Sequence, residues 1–407
     1  MKIDVAALES DLREIVAYPS VGGSEAEVDV QAWCADKLEA AGLDVDHWQL
    51  DLNALRTTDD YPGEEVERLE AWGVVGVSGP DTPALILNGH VDVVPPGDLA
   101  SWADADPYTV RERDGKWFGR GACDMKAGVI AMIAAARAVR ELDLVRPFAI
   151  HTVIGEEDGG LGTFAALHRG HGGDACVIAE PTNRDIIVAN AGSLTFRLQV
   201  RGSATHGSMR NTGVSAIEKF QVLHDELRKL EGSRNANPPE PFGITPWPLS
   251  VGIIRAGDWA STVPDLLVAE GRYGVMPGES FVAAKAAFAE ALFRATMSDH
   301  WLRENLPELT WPGGHFAPGR LPEGHELLNE MADALVLAGA PVPQAVGAPY
   351  GSDLRQYAAA GIPTVQYGPG DVRHAHSIDE HVPIDEVIAC AHAYAHLIVA
   401  RCGQDLR

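Results

Sequence analysis

The sequence contains few cysteines, few basic residues and no long apolar stretch, and each shortage excludes a class of protein. The 5 cysteines are odd in number, widely spaced and free of CxxC pairs, which argues against a disulfide framework and against a thiolate zinc site. Lys and Arg total 32 against 58 Asp and Glu, and the formal net charge of -26 argues against nucleic acid as a partner. Any metal ion would therefore be bound by His and carboxylate side chains.

The N-terminal segment MKIDVAALESDLREIVAYPS carries acidic residues where a signal peptide needs a basic start and an apolar core. It predicts an amphipathic first helix. No apolar run approaches the roughly 18 residues of a membrane span. We therefore expect a cytoplasmic protein that binds neither membranes nor nucleic acid, and a length of 407 residues predicts two structural units.

The first half of the chain alternates strand and helix patterns, which predicts an α/β layered domain with a largely parallel sheet. Ser24 and Glu27 have the spacing of a capping box, ahead of a helix that Gly42 ends. Strand patterns cover 72–77, 84–94, 148–154 and 175–179, and a helix pattern covers about 126–142. Polar or Gly-rich residues follow these strands, at the edge where an open α/β sheet binds its ligand.

The pattern changes near Gly192 and changes back after about residue 310. The intervening strand and helix patterns predict an inserted α+β unit. Downstream, helix patterns near 325–338, after Ser352 and over 384–400 surround a strand pattern at 363–368. We therefore predict one domain in two parts, 1–191 and 307–407, interrupted by a second domain at 192–306.

The segment NGHVDVVPPG places His90 and Asp92 two residues apart at the end of a predicted strand, hence on one face of the sheet. A carboxylate in that position can orient the imidazole of a metal-bound histidine. A structural histidine is the simpler interpretation of this motif taken alone.

Two further segments supply carboxylates. Asp124 lies in the Gly-rich turn of FGRGACDMKAG just before a helix, where an aspartate is ordinarily an N-cap. Glu156 and Glu157 are adjacent in VIGEEDGG at the end of a buried strand. On an exposed loop this pair would carry no meaning, but at a sheet edge its repulsion favours compensation by a metal ion.

The set of metal donors is completed by Glu180, which follows a buried strand in VIAEPT, and by a histidine cluster. The Gly-rich segment GPGDVRHAHSIDEHV contains His374, His376 and His381, for which a surface loop is the alternative. Imidazole and carboxylate donors at the carboxyl ends of several strands suit Zn²⁺ or a similar first-row ion better than Ca²⁺.

Together these motifs resemble those of the metallopeptidase family that contains acetylornithine deacetylase, succinyl-diaminopimelate desuccinylase, aminoacylase and glutamate carboxypeptidases. The motifs are NGHVDVVPPG, SWADADPY, GRGACDMKAG, GEEDGG, AEPT, ATHGS, STVPD, GSD and AHSIDE, and they span nearly the whole chain. The ending and the length are most similar to the acetylornithine deacetylase branch. The resemblance implies a zinc-exopeptidase-like α/β/α catalytic domain with an inserted α+β lid and dimerisation domain, and a homodimer.

The resemblance also implies a centre of two Zn²⁺ ions per chain, with Co²⁺ or Mn²⁺ as alternatives. Carried over position by position, Asp124 would bridge both ions. His90 and Glu180 would complete the coordination of one ion, and Glu157 and His376 that of the other.

The implied reaction is hydrolysis of an amide in a small N-acyl amino acid or a dipeptide. A water that bridges the two ions would lose its proton to Glu156, the general base, which would then protonate the leaving amine. Asp92 would be the partner that orients His90.

The inserted unit receives roles from the same resemblance. His206 of ATHGS would stabilise the developing oxyanion, commonly in the active site of a neighbouring subunit, although the sequence alone makes it an ordinary turn residue. Arg272 would bind a substrate carboxylate, and Gly351 and Ser352 match the family's substrate-carboxylate loop. The chain departs from the family at 261–265, STVPD, where a shorter hydroxyl replaces the asparagine of relatives.

Alternatives remain at this stage. A broader N-acyl-amino-acid deacylase, a dipeptidase or a carboxypeptidase would share the motifs. A catalytically silent metal-binding protein belongs to another class, and Glu156, which has no ligand role in the family, favours an enzyme over it. A thiol hydrolase built around Cys123 lacks a dedicated histidine partner in the sequence.

Overall fold

The computed structural model describes residues 1–243 and 245–403, which divide into two compact units. The first unit consists of residues 1–189, 319–346 and those from 352 onward, and the second of residues 190–318 and 347–351. Each unit has its own cluster of buried apolar side chains. The predicted domain boundaries, and the roles of catalytic domain and lid, stay predictions.

The helices and strands are numbered along the whole chain. The helices are α1 Val5–Val16, α2 Glu25–Ala40, α3 Leu52–Leu55, α4 Ala127–Val139, α5 Leu161–His168, α6 Ala216–Arg234, α7 Phe281–Ser298, α8 His300–Glu304, α9 Leu327–Leu337, α10 Leu354–Ala359 and α11 Ile384–Cys402. The strands are β1 Asp44–Gln49, β2 Trp72–Val77, β3 Leu85–His90, β4 Arg111–Arg113, β5 Lys116–Phe118, β6 Phe148–Val153, β7 Cys176–Ile178, β8 Ile186–Asn190, β9 Gly192–Arg201, β10 Leu249–Ala256, β11 Leu266–Val275, β12 Glu308–Thr310, β13 His315–Phe316, β14 Gly319–Arg320, β15 Ala345–Ala348, β16 Thr364–Gln366 and β17 His381–Pro383. None of the described helices combines the length and the apolar character that crossing a bilayer requires.

A mixed sheet runs through the first unit in the order β1-β2-β6-β3-β7-β16-β8-β14, with β15 beside β8. Its central strands β6, β3, β7 and β16 are parallel, whereas β1, β2 and β8 run antiparallel to their neighbours. The prediction of a largely parallel sheet is therefore right for the centre and wrong for the edges. The connection from β7 to β8 is too short for the crossover that parallel strands need.

The centre of this sheet is shielded from solvent on the side of α4. Strands β3 and β6 are buried at every residue, and α4, with the sequence AGVIAMIAAARAV, is apolar nearly all round. Such a helix has no polar face to offer to water, so it packs between β3, β6 and the C-terminal helix α11. The donor residues described below are therefore attached to a rigid core.

Helix α2 begins at the predicted place but not through the predicted contacts. Ser24 is its N-cap, yet the Ser24 side chain makes no capping hydrogen bond. The Glu27 carboxylate accepts from the amide of Gly23 at 2.6 Å and pairs with the buried guanidinium of Arg68. The capping-box prediction is wrong in both halves, because the Ser24 side chain caps no amide and Glu27 accepts from the amide of Gly23 instead of that of Ser24. Gly42, with φ of 91°, ends the helix as predicted.

The second unit is the predicted α+β insertion. Its sheet has the order β10-β11-β9-β12, with β13 also paired to β9, and the paired strands run antiparallel. Alternate residues of β9 are buried, as expected for a strand with one face on a core. Helices α6 and α7 pack against each other and complete that core.

Candidate metal centre

Three neighbouring strands bring the first donors to one edge of the sheet. His90 is the last residue of β3, Glu156 and Glu157 follow β6, and Glu180 follows β7. Because β3 is parallel to both β6 and β7, these residues leave the sheet on the same side. Asp124 joins them from the turn that precedes α4.

The structure brings all five predicted ligands of the first unit together. The Nε2 atom of His90 lies 3.1 Å from Oδ1 of Asp124 and 3.7 Å from Oε1 of Glu180. The Nε2 atom of His376 lies 3.1 Å from Oε1 of Glu157 and 3.6 Å from Oδ2 of Asp124. The two oxygens of Asp124 thus face two different imidazoles, which is the arrangement a bridging carboxylate needs.

The Glu156 side chain belongs to the same cluster. One of its carboxylate oxygens lies within 4.8 Å of donor atoms of His90 and Glu180, which also lie within that distance of each other. Glu156 is buried, and no hydrogen bond to its carboxylate occurs among residues 1–243 and 245–403. Its carboxylate therefore lies close to the donor atoms but accepts no hydrogen bond from the described residues.

Asp92 binds the backbone of the donor loop rather than chiefly the imidazole. The nearest acceptor to Nδ1 of His90 is the Asp92 carbonyl oxygen at 3.0 Å, and Oδ1 of Asp92 is 3.6 Å away. The carboxylate instead accepts from the amides of Glu156 at 3.3 Å and Glu157 at 3.2 Å. This residue thus orients His90 mainly through its backbone and fixes two further site residues through its side chain.

Glu380 is a site residue that the sequence did not single out. One oxygen of its carboxylate accepts from the amides of Cys123 and Asp124, both at 3.1 Å, and the other binds the guanidinium of Arg120. Glu380 therefore fixes the turn that carries Asp124. It belongs to the motif AHSIDE, but only the fold reveals that its side chain is buried against this turn.

The loop 155–160, GEEDGG, is also fixed from the side of α10. Arg355 donates to the carbonyl of Gly159 at 2.5 Å, and Gln356 donates to that of Gly160 at 2.7 Å. Gly160 has φ of 82°, and a Cβ atom there would lie 2.1 Å from Nε2 of Gln356. Gly160 is therefore required by its backbone conformation.

His376 occupies a strained position and is about half exposed. Its φ is 60°, in the left-handed region, and its side chain is 51% exposed. A non-glycine residue there costs about 1–3 kcal/mol, which the surrounding structure must offset. Of the other two histidines of this loop, His381 lies against Lys116 and Asp379. The His374 ring contacts the His381 ring in a tilted arrangement, with the ring centroids 4.1 Å apart.

Burial raises the pKa values of three carboxyls at this edge, Glu156, Glu180 and Asp92. Burial and neighbouring acidic groups raise the pKa of Glu156 and of Glu180 well above the glutamate range, and burial raises the pKa of Asp92 to about 7. For His90, burial opposes protonation, but the hydrogen bond to Asp124 and the nearby carboxylates outweigh it and raise its pKa. Bound cations would lower all of these pKa values.

The donor set fits first-row divalent ions. It combines imidazole nitrogens with carboxylate oxygens, whereas Ca²⁺ and Mg²⁺ sites use oxygen donors almost alone. The acidic groups outnumber the imidazoles, so the cluster carries negative charge when its carboxyls are ionised, and bound cations would balance that charge. We find that the residues present fit two such ions; which metal binds stays a prediction.

Cys123, next to Asp124, does not have the surroundings of a nucleophile. It is buried, its Sγ lies 3.4 Å from the carbonyl oxygen of Asp371, and burial raises the pKa of its thiol well above the usual range. A reactive cysteine needs the thiolate form. The structure therefore argues against the thiol-hydrolase alternative.

In the second unit, the ATHGS and STVPD motifs lie side by side. The amide of Gly207 donates to the carbonyl of Ser261 at 2.6 Å, and His206 pairs with Thr262 in a short antiparallel bridge. The Nδ1 atom of His206 accepts from the amide of Ser208 at 3.3 Å. In the neutral ring this assigns the proton to Nε2, so the exposed imidazole can donate a hydrogen bond.

The predicted substrate-binding residues divide between the units. In the second unit, Arg272 donates to Oγ of Ser193 at 2.8 Å and lies over the ring of Phe316, and no carboxylate of that unit's described part lies within 4.0 Å of it. Gly351 packs closely against Phe316. In the first unit, Ser352 is buried, and its Oγ accepts from Gln366 at 2.6 Å.

An α/β sheet with imidazole and carboxylate donors at its carboxyl edge is typical of a metal-dependent enzyme. The model of Peptidase family M20/M25/M40 matches residues 86–400, and the chain belongs to this family. The predicted family is confirmed. Its members, among them dinuclear metal-binding peptidases, hydrolyse amide bonds as deacylases or as peptidases, and this chain is an enzyme of that kind.

Two relatives cover most of the chain. N-formyl-4-amino-5-aminomethyl-2-methylpyrimidine deformylase of Bacillus subtilis is 29% identical over 407 residues, which cover 92% of this chain and 89% of the relative. Acetylornithine deacetylase of Myxococcus xanthus is 27% identical over 414 residues, which cover 99% of this chain and 100% of the relative. Both are similar to this chain at a level that leaves its substrate open.

Two solved structures share the fold. Human carnosine dipeptidase 1 superposes with a TM-score of 0.75 at 18% identity, covering 98% of this chain and 97% of that one. The YXEP protein of Bacillus subtilis, a dinuclear metal-binding peptidase of the M20 family, superposes with a TM-score of 0.63 at 16% identity, covering 98% and 99%. The predicted fold class is confirmed.

Proposed function

We propose that this enzyme hydrolyses the amide of a small N-acyl amino acid, of the acetylornithine type, with Glu156 as the general base. The observation that carries the proposal is the position of Glu156. Its buried carboxylate lies within 4.8 Å of donor atoms of His90 and Glu180 and accepts no hydrogen bond from the described residues. A carboxylate that served only to hold the fold would be expected to have a partner.

Two Zn²⁺-type ions, held by His90, Asp124, Glu157, Glu180 and His376, would polarise the amide carbonyl and acidify the attacking water. Glu156 accepts the proton of that water as the water attacks the carbonyl carbon. It then donates this proton to the amine nitrogen as the C–N bond breaks. The amides of Glu156 and Glu157, both bound to Asp92, keep the base and the adjacent ligand in fixed positions.

The second unit contributes substrate recognition in this proposal. The Nε2 proton of His206 donates to the oxyanion of the tetrahedral intermediate. Arg272, which has no carboxylate within 4.0 Å in the described part of its unit, binds the carboxylate of the substrate bidentately. We further propose a homodimer in which His206 serves the partner's active site. Exposed apolar side chains of the second unit, Ile253, Ile254 and Trp259, support a protein contact there.

Deformylation of an aminomethylpyrimidine is the second candidate, favoured by the Bacillus subtilis relative that is 29% identical over 92% of this chain. That substrate has no carboxylate for Arg272. A dipeptidase is a third possibility within the family, and human carnosine dipeptidase 1 shares only the fold.

The proposal is tested by screening zinc-loaded protein for amine release from acetylornithine, other N-acyl amino acids, the N-formyl aminomethylpyrimidine and dipeptides. We expect the highest kcat/KM on an N-acyl amino acid. A higher kcat/KM on the formyl pyrimidine would establish the second candidate instead. Hydrolysis of none of these substrates by protein that binds its metals would contradict the proposed function.

A further inference from the structure

A buried cluster of three charges lies directly behind the donor loop 155–160. Arg68, in the segment between α3 and β2, donates to both oxygens of Glu27 at 3.0 and 2.9 Å and to Oδ2 of Asp158 at 2.8 Å. The three side chains are 0%, 3% and 7% exposed. Asp158 is the residue next to Glu157, so this triad grips the donor loop itself.

The segment 63–66 contacts the same loop along its length. Besides Arg68, Oδ2 of Asp158 accepts from the amides of Glu65 at 3.2 Å and Val66 at 3.0 Å. A Cβ atom on Gly159 would lie 2.1 Å from the carbonyl oxygen of Gly63. The loop therefore packs on this segment, and the carboxylate of Asp158 makes the hydrogen bonds that hold it there.

Stability alone does not account for the triad. Two buried carboxylates share one guanidinium, whose pKa is raised by these partners, while burial raises the pKa of Glu27. Well-packed apolar residues would fold as well or better in such a place. Apolar residues could not fix the direction of the loop in this way, because the guanidinium of Arg68 joins Asp158 of the loop to Glu27 of α2 through directed hydrogen bonds.

We propose that Arg68 is a positioning residue that fixes the loop 155–160, so that Glu156 and Glu157 point at the metal centre. This rests on the proposed function of Glu156. Asp92 accepts from the amides of Glu156 and Glu157, and Arg68 donates to the carboxylate of Asp158. Without Arg68 the loop keeps its hydrogen bonds to Asp92 and to the amides of Glu65 and Val66, but Asp158 loses the ion pair that ties the loop to α2.

The experiment compares two variants with the parent protein. In Arg68→Lys one ammonium replaces the fork. In the neutral variant, Glu27→Gln, Arg68→Met and Asp158→Asn are combined, so that no buried charge is left unpaired. The readouts are the unfolding midpoint, kcat, KM, the Zn²⁺ affinity of each site by competition with a chelator, and hydrogen exchange of the peptide that contains Glu156 and Glu157.

We expect the neutral variant to unfold cooperatively at a midpoint close to that of the parent, with KM unchanged. Its kcat and the affinity of the weaker Zn²⁺ site should each fall about 10–100-fold, as is typical when an outer partner of a metal ligand is lost. Exchange in the loop should rise. Arg68→Lys should give an intermediate loss, because a lysine cannot bridge both carboxylates.

The control is a second charge cluster of the same unit, which lies among α1, α2 and α4 and consists of Lys37, Asp11, Glu14 and Arg137. Its neutralised form, Lys37→Met, Asp11→Asn, Glu14→Gln and Arg137→Met, should leave kcat and Zn²⁺ affinity unchanged.

The proposal would be overturned if the neutral variant had the same kcat, Zn²⁺ affinity and loop exchange as the parent. It would also be overturned if that variant lost cooperative folding, because the triad would then be purely structural. If the parent instead hydrolyses no amide, the proposed function fails, while Zn²⁺ affinity and exchange still decide the role of Arg68.

Discussion

The two units hold their candidate site residues in opposite ways. In the first unit, His90, Glu156 and Glu180 are buried at the end of a rigid sheet, and Asp92 and Glu380 bind the backbone of their loops. In the second unit, His206 is an exposed turn residue whose ring is held by its neighbour Ser208. The candidate catalytic residues are thus held rigidly at the edge of the sheet. The residues of the second unit that are proposed to contact the substrate are exposed, so their side chains can adjust to it.

The largest effect is expected at Asp124, whose two oxygens face His90 and His376. Replacing it with Ala should weaken both metal ions, because a bridging ligand serves two sites, and activity should fall to background. Metal analysis after dialysis measures this directly. Glu180→Ala is the control, since it should release only one ion, and retention of both ions by the Asp124 variant would refute the bridge.

Glu156→Gln should lower kcat by about 10²–10⁴-fold, the usual contribution of a positioned general base. The metal content should stay at two ions, and stability should not fall, because burial already opposes the charged form of this carboxyl and raises its pKa. Paired measurements of kcat, metal content and unfolding midpoint test the three statements. Full activity in this variant would assign the base to another residue.

His206→Ala should cost about 10²–10³-fold in rate, as expected for the loss of one oxyanion donor. If the site is shared between subunits, mixing this variant with Glu156→Gln under subunit exchange should restore partial activity, because a hybrid dimer contains one intact site. Exchange is checked by mass. Exchange without recovery would place His206 in the active site of its own chain or outside any site.

Arg272→Gln should raise KM for an N-acyl amino acid about tenfold or more, because one charge-assisted hydrogen bond to the substrate is lost. The value of kcat should change little. For a substrate without a carboxylate, kcat and KM of this variant should equal those of the parent. A matched change at Arg255, an exposed residue of the same sheet, should alter neither. An equal effect on both substrates would mean that Arg272 supports the fold of its unit.

The sequence predicts the metal donors well because each follows a strand pattern, and parallel strands must end at a common edge. It misses Glu380 and Arg68 because their contacts join segments far apart in the chain, Arg68 to Glu27 and Asp158 and Glu380 to the turn before α4. Nothing in their local sequence distinguishes them from surface charges. The antiparallel sheet edges escape prediction for the same reason, since strand direction depends on pairing partners rather than on the strand itself.

The sequence also leaves the function of Asp92 half described. Its spacing from His90 predicts a partner for the imidazole, and its backbone carbonyl indeed lies 3.0 Å from the ring. Its carboxylate, however, binds the amides of Glu156 and Glu157, which follow β6 and lie 64 and 65 residues further along the chain. Such a contact depends on the pairing of β3 with β6, which local patterns do not encode.

The smallest effect on catalysis, and a test of the braced interior, is expected at His151, five residues before Glu156 on the same strand-loop element. His151 is fully buried, its Nδ1 lies 2.9 Å from the Tyr357 hydroxyl, and burial lowers its pKa to about 3.

The pKa of His151 in the unfolded chain is near 6.5, so below that pH the unfolded state binds a proton that the folded state does not bind. The stability that neutral His151 permits is complete above pH 6.5 and is lost as the pH falls toward 3. Between pH 7 and pH 5 this amounts to about 2 kcal/mol. His151→Gln keeps a polar group but does not titrate, so the parent should lose about 2 kcal/mol more than this variant over that range in urea unfolding, while kcat at pH 7 stays within about twofold. Equal pH dependence of the two proteins would show that the imidazole takes up its proton inside the fold.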